Sequence, residues 1–513
     1  MALNELAKII ENGIVATADQ QNRVGRYALL IRNNRIVDIA PRSEPLKNMH
    51  PNAEVIDAAG KLVIPGFVDP HFHAESFLLR HVTGTIPMSR WSKDRRIAAV
   101  YSYLNNGAAP EDLEILFRLA YFNALKSGVT CVADYGLDNL EKSLLASYEA
   151  MKRVELKGFI GLHNGDQVEQ SRKLQSSSVR FALTLPSEDD LTTYGLQSIL
   201  RISEDLKMPL MVHLGETKRG SESLKRNFHR STTQLLKEFH LFGQKIQLAH
   251  LSVLEKDDAE VLSAAKIPVI VTPNSAVRKE VDLPPIGEFM MHGIPLALGT
   301  DWGVVDQFSN VRAMAALARA HGRSLPTGFD MLALCTRNGA HALGLLDECG
   351  TLEPGKKADI TFIGISDVRW GHNFVGNDFA GLLSAVFLEG SARDVTDVMV
   401  NGNFCIRERN ILTYSEEDLL QEGSRLMAKL VERSSEKEPV GSADVMRPAT
   451  PILSLEPSRD EEDSEPYDDG FRIIKNEDRN NEPSKKVIPI PTELPKQVET
   501  PKTVKRVFGE DDI

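Results

Sequence analysis

The 513-residue chain lacks any excess of positive charge, because 60 Lys and Arg residues stand against 72 Asp and Glu residues, for a net charge of −12. No basic stripe is present, so a nucleic-acid partner is not expected. No apolar run reaches the roughly 18 residues that span a bilayer. The opening MALNELAKIIENG also lacks the basic start and apolar middle of a secretory leader. We therefore expect neither a nucleic acid nor a membrane as partner.

Cysteine is scarce as well. The four thiols, at Cys131, Cys335, Cys349 and Cys405, form no CxxC pair. This excludes the zinc deaminases whose signature includes PCxxC. Unpaired thiols are typical of a reducing compartment, so we expect a soluble cytoplasmic protein.

From about Lys61 to Thr300 the chain alternates short apolar runs with amphipathic helical stretches. Parallel strands that are buried on both faces read as near-continuous apolar runs. Eight such runs can be counted: LVIPGFVD, VTCVADY, GFIGLH, RFALTLP, PLMVHL, KIQLAHL, PVIVTP and PLALGT. Eight strand-then-helix units predict an α/β fold, a (β/α)8 TIM-type barrel over residues 63–349. The C-terminal ends of its strands are where its chemistry is expected.

The segments on either side of the predicted barrel have strand patterns. YALLIRNNRIVDIAP reads as a hairpin that turns at Asn33-Asn34, and DVTDVMVNGNFCIRERN turns at Asn401-Gly402. We predict one small β-sandwich built from residues 1–62 and 350–414, followed by a helix at 415–434.

Residues 435–513 are rich in Pro, Ser, Glu and Asp. Such a composition cannot bury enough apolar surface to offset the entropy of ordering, so we predict a disordered tail. KKVIPIPTEL and the last residues could be docking motifs, but we favour a passive solvated tail, and no tail partner is identified.

Histidines and a carboxylate stand at four of the predicted strand ends. His71 and His73 are two residues apart, so their side chains point the same way from the first strand. Two histidines alone could simply pack. His213, His250 and Asp301 end the fifth, sixth and eighth strands, and their meeting at one end of a barrel predicts a metal site.

The predicted ligand set joins three imidazoles to one carboxylate and leaves a position for water. It consists of His71, His73, His213 and Asp301. Zn²⁺ suits such a set, while Fe²⁺, Mn²⁺ and Co²⁺ accept the same ligands. The metal is expected to lower the pKa of its bound water towards about 7. His250 is then expected to act as a base or to orient the hydroxide, Asp301 to accept a proton in addition to binding the metal, and Glu216 to carry protons to the substrate.

The motifs PGFVDPHFHAESFLLR, VHLGET, LAH and LALGTD fall in this order along the chain. They resemble the amidohydrolase superfamily, and within it the aminohydrolase and triazine-hydrolase branch, whose members include guanine deaminase, methylthioadenosine/S-adenosylhomocysteine deaminase and triazine hydrolases. The resemblance covers about residues 5–433. It implies one metal ion, since no lysine ends the fourth strand to be carboxylated for a second. It also implies that Trp91 lines the substrate pocket and that Asn274 contacts the substrate.

Two departures from the branch lie in the expected pocket. The branch usually has HAPYT after the fourth strand, whereas LTLPSEDDLTTYGLQ has no histidine there, and Glu188, Asp189 or Asp190 is expected to fill that place. Trp302 stands where a smaller residue is usual. Arg80 in FLLR fits the pattern of the branch, and a salt bridge explains it as well as substrate contact does.

These observations predict hydrolytic deamination of an amino-substituted nitrogen heterocycle, a purine, pyrimidine or triazine-like ring, with water as the second substrate. Hydroxide on the metal would attack the ring carbon while Glu216 protonates the neighbouring ring nitrogen. Hydrolytic dechlorination and opening of a cyclic amide are alternatives on the same scaffold. A non-catalytic scaffold protein is a further alternative, against which the retention of every ligand argues. Homodimers are common among similar proteins, but no interface can be read from this sequence.

Overall fold

The computed structural model of the chain describes residues 7–137, 141–243, 245–303, 305–370 and 379–435. Its strands are β1 Ala7–Glu11, β2 Ile14–Ala16, β3 Val24–Arg26, β4 Ala28–Arg32, β5 Arg35–Ala40, β6 Glu54–Asp57, β7 Lys61–Pro65, β8 Phe67–Phe72, β9 Val129–Asp134, β10 Lys157–Leu162, β11 Val179–Thr184, β12 Leu210–Leu214, β13 Ile246–His250, β14 Val269–Val271, β15 Leu296–Leu298, β16 Ile360–Gly364, β17 Val395–Val400, β18 Asn403–Arg407 and β19 Asn410–Ile411.

The helices are α1 Glu44–Met49, α2 Ser76–Thr83, α3 Arg95–Ser102, α4 Pro110–Lys126, α5 Glu141–Val154, α6 Gly165–Ser171, α7 Thr193–Leu206, α8 Lys218–Phe228, α9 Thr232–Glu238, α10 Asp258–Ala265, α11 Pro273–Lys279, α12 Ile286–Met291, α13 Gln307–Ala320, α14 Gly328–Cys335, α15 Arg337–Ala342, α16 Phe379–Glu389 and α17 Glu416–Ser435. Within the described residues, none of them is long and apolar enough to cross a bilayer.

Strands β8 to β15 form one parallel sheet in which neighbours in sequence are neighbours in space. The first and last strands meet where Phe72 pairs with Asp301 and the Asp301 amide donates to the His71 carbonyl at 2.9 Å. The strands are buried on both faces, as their apolar sequences predict. The predicted TIM-type barrel is confirmed.

The run LVIPGFVD, predicted as a single strand, is divided at Gly66. Lys61–Pro65 pairs with β16 and β2 in a sheet outside the barrel, and the barrel begins with Phe67–Phe72. A Cβ atom on Gly66 would lie 2.7 Å from the Cβ of Thr130, so the backbone approaches the next strand too closely for any side chain. Periodicity does not show this division, because both halves are buried and apolar.

The strands before and after the barrel combine in two further sheets. One has the order β5-β4-β1-β6, and the other has the order β19-β18-β17-β16-β7-β2-β3. Ile10, Val63 and Phe362 belong to one apolar cluster between them. The two predicted turns are present, with φ of +54° at Asn33 and +49° at Asn401. The assignment of domain boundaries stays a prediction, and the tail predicted for residues 435–513 lies, beyond Ser435, outside the described residues.

Two helices complete the described chain after the barrel. Phe379–Glu389 falls within the segment predicted as strands only, and its sequence FAGLLSAVFLE is almost wholly apolar with no clear period. It packs against α14, where a Cβ on Gly328 would lie 2.6 Å from the Ser384 amide nitrogen. The last helix, α17, has one buried stripe at helical spacing, formed by Leu419, Gly423, Leu426 and Leu430.

Candidate metal and catalytic site

The first pair of histidines is held in place by carboxylates beneath it. His71 lies within β8 and His73 directly follows the strand, with ring centroids 5.3 Å apart. Asp69 accepts hydrogen bonds from the amide (3.0 Å) and the hydroxyl of Thr300, which ties β8 to the end of β15. Asp134, at the end of β9, accepts from the amide of Ala74 at 3.2 Å. The histidine segment is therefore fixed from both neighbouring strands.

Two more imidazoles join the pair from β12 and β13. The ring of His213 lies 4.5 Å from that of His71 and 5.3 Å from that of His73, centroid to centroid. The ring of His250 lies 4.9 Å from His213 and 5.1 Å from His71. His250 has a φ of +78°, an uncommon conformation for a non-glycine residue, and β13 ends there.

Asp301 supplies the one carboxylate of the predicted ligand set. Its Oδ1 lies 3.8 Å from Nε2 of His71 and 3.5 Å from Nε2 of His73. Its Oδ2 accepts from the Ser275 hydroxyl at 2.8 Å and from Nζ of Lys279 at 2.6 Å. Asp301 has a φ of +51°, so this backbone conformation, costly for a non-glycine residue, is held by the surrounding contacts.

The cluster fits a divalent metal ion by the state of its donor atoms. Nε2 of His71, His213 and His250 is buried without a hydrogen-bond partner among the described residues, an arrangement that is costly unless a ligand satisfies it. His73 contacts Oε1 of Glu75 through Nδ1 at 3.0 Å, which leaves its Nε2 for the cluster. Such a carboxylate behind an imidazole is typical of metal-binding histidines. The potential ligand atoms of His71, His73 and His213 all lie within 4.8 Å of one another.

The protonation states agree with this fit. Burial lowers the pKa values of His71 and His213 well below the usual range, so both are neutral, the form that binds a metal. Burial opposes ionisation of Asp301, but Lys279 and the histidines hold the pKa of that carboxyl well below its usual range. The carboxylate is thus ionised.

His73 differs from the other imidazoles. Burial lowers its pKa, but Glu75 and Asp301 outweigh burial and raise it to about 9. A metal that binds to Nε2 of His73 must therefore displace a proton, so its affinity is expected to rise with pH.

Glu216 lies beside this cluster, at the start of the loop between β12 and α8. Its Oε1 lies 4.0 Å from Nδ1 of His250 and contacts Nζ of Lys279. Burial would raise the pKa of Glu216, yet Lys279 and His250 lower it overall. Nδ1 of His250 also lies 3.3 Å from the Thr272 hydroxyl, and burial lowers the pKa of His250. The structure thus places an ionised carboxylate and a neutral imidazole together next to the candidate metal ligands.

Sequence reasoning missed Lys279, the last residue of α11. Its side chain is buried and contacts both Glu216 and Asp301. In the sequence it lies in AVRKEVD, which reads as an ordinary charged surface segment, so no local signal identifies it.

Tyr135 was also missed. Its ring lies 4.0 Å from His213 and 5.3 Å from His73, and its hydroxyl donates to the Leu185 carbonyl at 2.9 Å. The sequence signal was an aromatic residue at the end of the second predicted strand, VTCVADY. Both ring nitrogens of the nearby His163 have partners, the Tyr135 carbonyl at 2.6 Å and the Thr184 hydroxyl at 2.9 Å.

The predicted pocket residues divide into two groups. Trp91 and Trp302 lie with ring centroids 4.6 Å apart, and Trp302 is 6.3 Å from His73. The indole nitrogen of Trp91 donates to the Ile86 carbonyl at 2.8 Å. The two tryptophans form an aromatic wall beside the histidines.

Glu188 and Asn274 have other contacts. Oε1 of Glu188 accepts from the Gly215 amide at 2.5 Å, next to Glu216, and burial raises the pKa of Glu188 to about 7. The Asn274 amide donates to the Ser309 hydroxyl on α13 at 2.5 Å. The side-chain amide of Asn274 is therefore bound to α13, and its predicted contact with the substrate stays a prediction.

With this geometry in place, comparison with known proteins identifies the family. Residues 62–405 match the model of the amidohydrolase family. The chain belongs to this family. The predicted family and the predicted hydrolase acting on C–N bonds are confirmed.

Relatives in this amidohydrolase family carry deaminase names. The 5-methylthioadenosine/S-adenosylhomocysteine deaminase of Syntrophomonas wolfei is 24% identical over 394 residues, 74% of this chain and 89% of the relative. That of Pelotomaculum thermopropionicum is 26% identical over 447 residues, 83% of this chain and 99% of the relative. The predicted hydrolytic deamination of a heterocycle agrees with both.

A solved structure shows the same fold. The adenosine deaminase of Xanthomonas campestris, which holds zinc, superimposes with a TM-score of 0.74 at 18% identity, over 83% of this chain and 99% of that one.

Proposed function

We propose that the chain catalyses hydrolytic deamination of an amino-substituted nitrogen heterocycle, a 6-aminopurine nucleoside or a ring of similar shape. The observation that carries the proposal is the position of Glu216. An ionised carboxylate beside a neutral imidazole, next to a set of metal-binding nitrogens, is what protonation of a ring nitrogen requires.

The proposed ligands are His71, His73, His213 and Asp301. A single Zn²⁺ ion held there would lower the pKa of water and so supply the nucleophile at neutral pH. A second ion is not proposed, because β11 ends in Thr184 and is followed by Leu185, neither of which can be carboxylated.

The remaining roles belong to side chains of the chain itself. Glu216 takes a proton from the attacking water and delivers it to the ring nitrogen next to the amino-bearing carbon, which makes that carbon electrophilic. His250 orients the water through Nε2, since its Nδ1 faces the Thr272 hydroxyl. Asp301 accepts the second proton and passes it to the departing amine, which leaves as ammonia.

The walls of the site suit a flat aromatic ring. Trp302 and Tyr135 lie beside His73 and Trp91 packs on Trp302, and aromatic faces stack on a heterocycle at low cost in ordering. The buried indole nitrogen of Trp302 has no partner in the part of the chain that the structure describes, and it offers a hydrogen bond to a ring nitrogen or carbonyl of the substrate.

The test is ammonia release from a panel of aminopurines, aminopyrimidines and aminotriazines, with metal analysis of the same preparation. Glu216→Gln and His250→Ala are expected to keep the metal and to lose about 10²–10⁴-fold in kcat/KM. Glu222→Gln, on the exposed face of α8, and His292→Ala, at the end of α12, are matched controls that keep activity. Chloride release or lactam hydrolysis without ammonia from any amine would contradict deamination, and a protein without metal or turnover would indicate a scaffold.

A further inference from the structure

Two arginines lie together where α2 and α11 meet at the strand ends of the barrel. Arg80 is on α2, directly after the histidine segment, and Arg278 is the residue before Lys279 on α11. Nη2 of Arg278 donates to the Arg80 carbonyl at 3.0 Å. The guanidinium of Arg80 stacks on the ring of Phe77, 4.3 Å from its centroid. Both side chains are therefore held in defined positions.

Neither guanidinium has a carboxylate partner among the described residues. Nη1 of Arg80 and Nε of Arg278 are buried and have no hydrogen-bond partner. The arginines Arg118, Arg180 and Arg219 show the usual arrangement, each with a carboxylate within 3.1 Å. Leaving charged donors unpaired costs free energy, so such a pair suggests that an external anion completes it.

The surroundings add positive charge and no compensating acid. Burial and the charge of Arg278 lower the pKa of Arg80, and no acidic group opposes them. The neighbouring His81 behaves in the same way, since burial, Arg80 and Arg278 lower its pKa. Among the described residues, the charges that shift the pKa values of Arg80 and His81 are thus those of the two arginines alone.

The pair lies next to the proposed active site. A Cβ on Gly303 would lie 3.4 Å from Cδ of Arg278, so the stem of that arginine runs along the loop two residues after Asp301. The Gly303 amide donates to the Ser76 hydroxyl at 3.2 Å, at the start of the helix that carries Arg80. Lys279, the next residue, contacts Asp301 itself.

We propose that Arg80 and Arg278 bind an oxyanion, a carboxylate or a phosphate, carried by the substrate whose heterocycle lies at the histidine cluster. This inference rests on the proposed deamination and narrows its substrate class to anionic amino-heterocycles. The planar guanidinium fork matches both oxyanions with paired hydrogen bonds, which a lysine would not do. Sequence alone left a salt bridge of Arg80 as an equal explanation, and none of the described acidic residues forms it.

Kinetics on matched substrates tests the proposal and separates the two oxyanions. Adenosine is compared with adenosine 5′-monophosphate, and a neutral 5′-thioether nucleoside with the same compound carrying a carboxylate. In the pair whose anion fits the site, phosphate or carboxylate, kcat/KM for the anionic substrate is expected to be at least about 10-fold higher than for its neutral counterpart. Arg80→Met and Arg278→Met are each expected to lower that anionic-to-neutral ratio about 10- to 100-fold, as loss of a charged hydrogen bond does. Arg219→Met, whose arginine pairs with Asp189, is the matched control and keeps the ratio.

Binding of inorganic phosphate and of acetate, measured by calorimetry at constant ionic strength, does not depend on turnover. At least one anion is expected to bind the wild-type protein, and Arg278→Met is expected to abolish that binding. Arg80→Lys and Arg278→Lys keep the positive charge. Anion binding that is weakened in these variants and abolished in the Met variants would show that the site is lost and that the protein is not misfolded. Anion binding that depends on these arginines, without ammonia release from any heterocycle, would leave the site standing and overturn the deamination. Equal kcat/KM within both pairs, with anion binding unchanged in the variants, would overturn the site.

Discussion

Lys279 is the residue on which the charge balance of the proposed active site depends. Its ammonium contacts Glu216 and Asp301, the two carboxylates to which we assign proton transfer, and all three side chains are removed from most solvent contact. A divalent cation bound by Asp301 would share that carboxylate with the ammonium, on its other oxygen. Lys279 therefore both stabilises the metal-free site and competes electrostatically with the metal.

Replacement of Lys279 by methionine should separate these two effects. The metal-free variant is expected to unfold at a lower temperature than the wild type, because two buried carboxylates lose their counter-charge. Its affinity for Zn²⁺ is expected to rise about 10-fold, since the ion no longer meets a neighbouring positive charge. Chelator competition and thermal unfolding with and without metal measure both. Lys225→Met, at an exposed pair with Glu255, is the control, and an unchanged Zn²⁺ affinity in Lys279→Met would contradict the argument.

Glu188 predicts a pH dependence of stability. Burial, which has the largest effect, acts together with Glu216 and Asp189 to raise the pKa of Glu188 to about 7, above the value of about 4.5 expected in the unfolded chain. The folded state then binds the proton more tightly, so Glu188 lowers stability progressively as pH rises from about 4.5 to 7, and the loss stays constant above pH 7. Glu188→Gln should remove this dependence, on the order of 1–3 kcal/mol.

The measurement is the free energy of unfolding of both proteins at pH 5 and pH 8. The variant is expected to gain stability relative to the wild type between these values. A difference between the two proteins that stays constant over this range would show that Glu188 titrates normally.

Among the elements, the division between β7 and β8 decides where the barrel begins. Gly66 is where the chain leaves the outer sheet and enters the barrel, and its amide donates to the Asp359 carbonyl at 2.9 Å. Thr130, in β9, fills the space that a side chain at residue 66 would need.

Gly66→Ala is therefore expected to lower the free energy of unfolding by about 1–3 kcal/mol, as overpacking of a tight core does. Thr130→Ala should restore part of that loss in the double variant, because it removes two of the three atoms that the new Cβ would meet. Gly25→Ala, which meets only the ring edge of Tyr27, is the control. The measurement is urea unfolding of the wild type, the two single variants at Gly66 and Thr130, and the double variant. Additive changes in the free energy of unfolding would show that the close approach is absent.

At the scale of the whole molecule, α17 attaches the end of the described chain to the barrel. Leu419, Leu426 and Leu430 are buried, and a Cβ on Gly423 would lie 2.8 Å from a methyl group of Leu119 on α4. Ion pairs flank this stripe, including Lys429 with Asp112 at 2.7 Å. The buried leucines are expected to outweigh this ion pair, because each leucine contributes about 1.5–3 kcal/mol. The Lys429 side of the pair is half exposed, and pairs open to solvent contribute under about 1 kcal/mol.

Truncation tests whether α17 stabilises the barrel and whether the residues after it do not. A chain that ends at Ser415 is expected to lose several degrees or more of Tm, since it loses the leucine stripe. A chain that ends at Ser435 is expected to keep the Tm and the kcat/KM of the full chain, as a passive tail predicts. Loss of activity in the longer of the two would show that residues 436–513 act on the catalytic unit.

The sequence alone determined the barrel and the residues of the proposed metal site. Apolar runs are local signals, and the histidines and the aspartate at the ends of four of the eight predicted strands must meet one another once the strands close. His71, His73, His213, His250 and Asp301 could therefore be named without coordinates.

Only the tertiary structure decided which other side chains reach that site. Lys279 and Arg278 look like ordinary surface charges in the sequence, and for Arg80 the sequence left a salt bridge as an equal explanation. The burial of Lys279 between two carboxylates and the unpaired guanidinium atoms of the arginines are properties of the packed molecule. The division at Gly66 was hidden for the same reason, since the clash with Thr130 arises from a strand that lies far along the chain. Local patterns encode elements, whereas the charge environment of a site depends on residues that meet only in the folded chain.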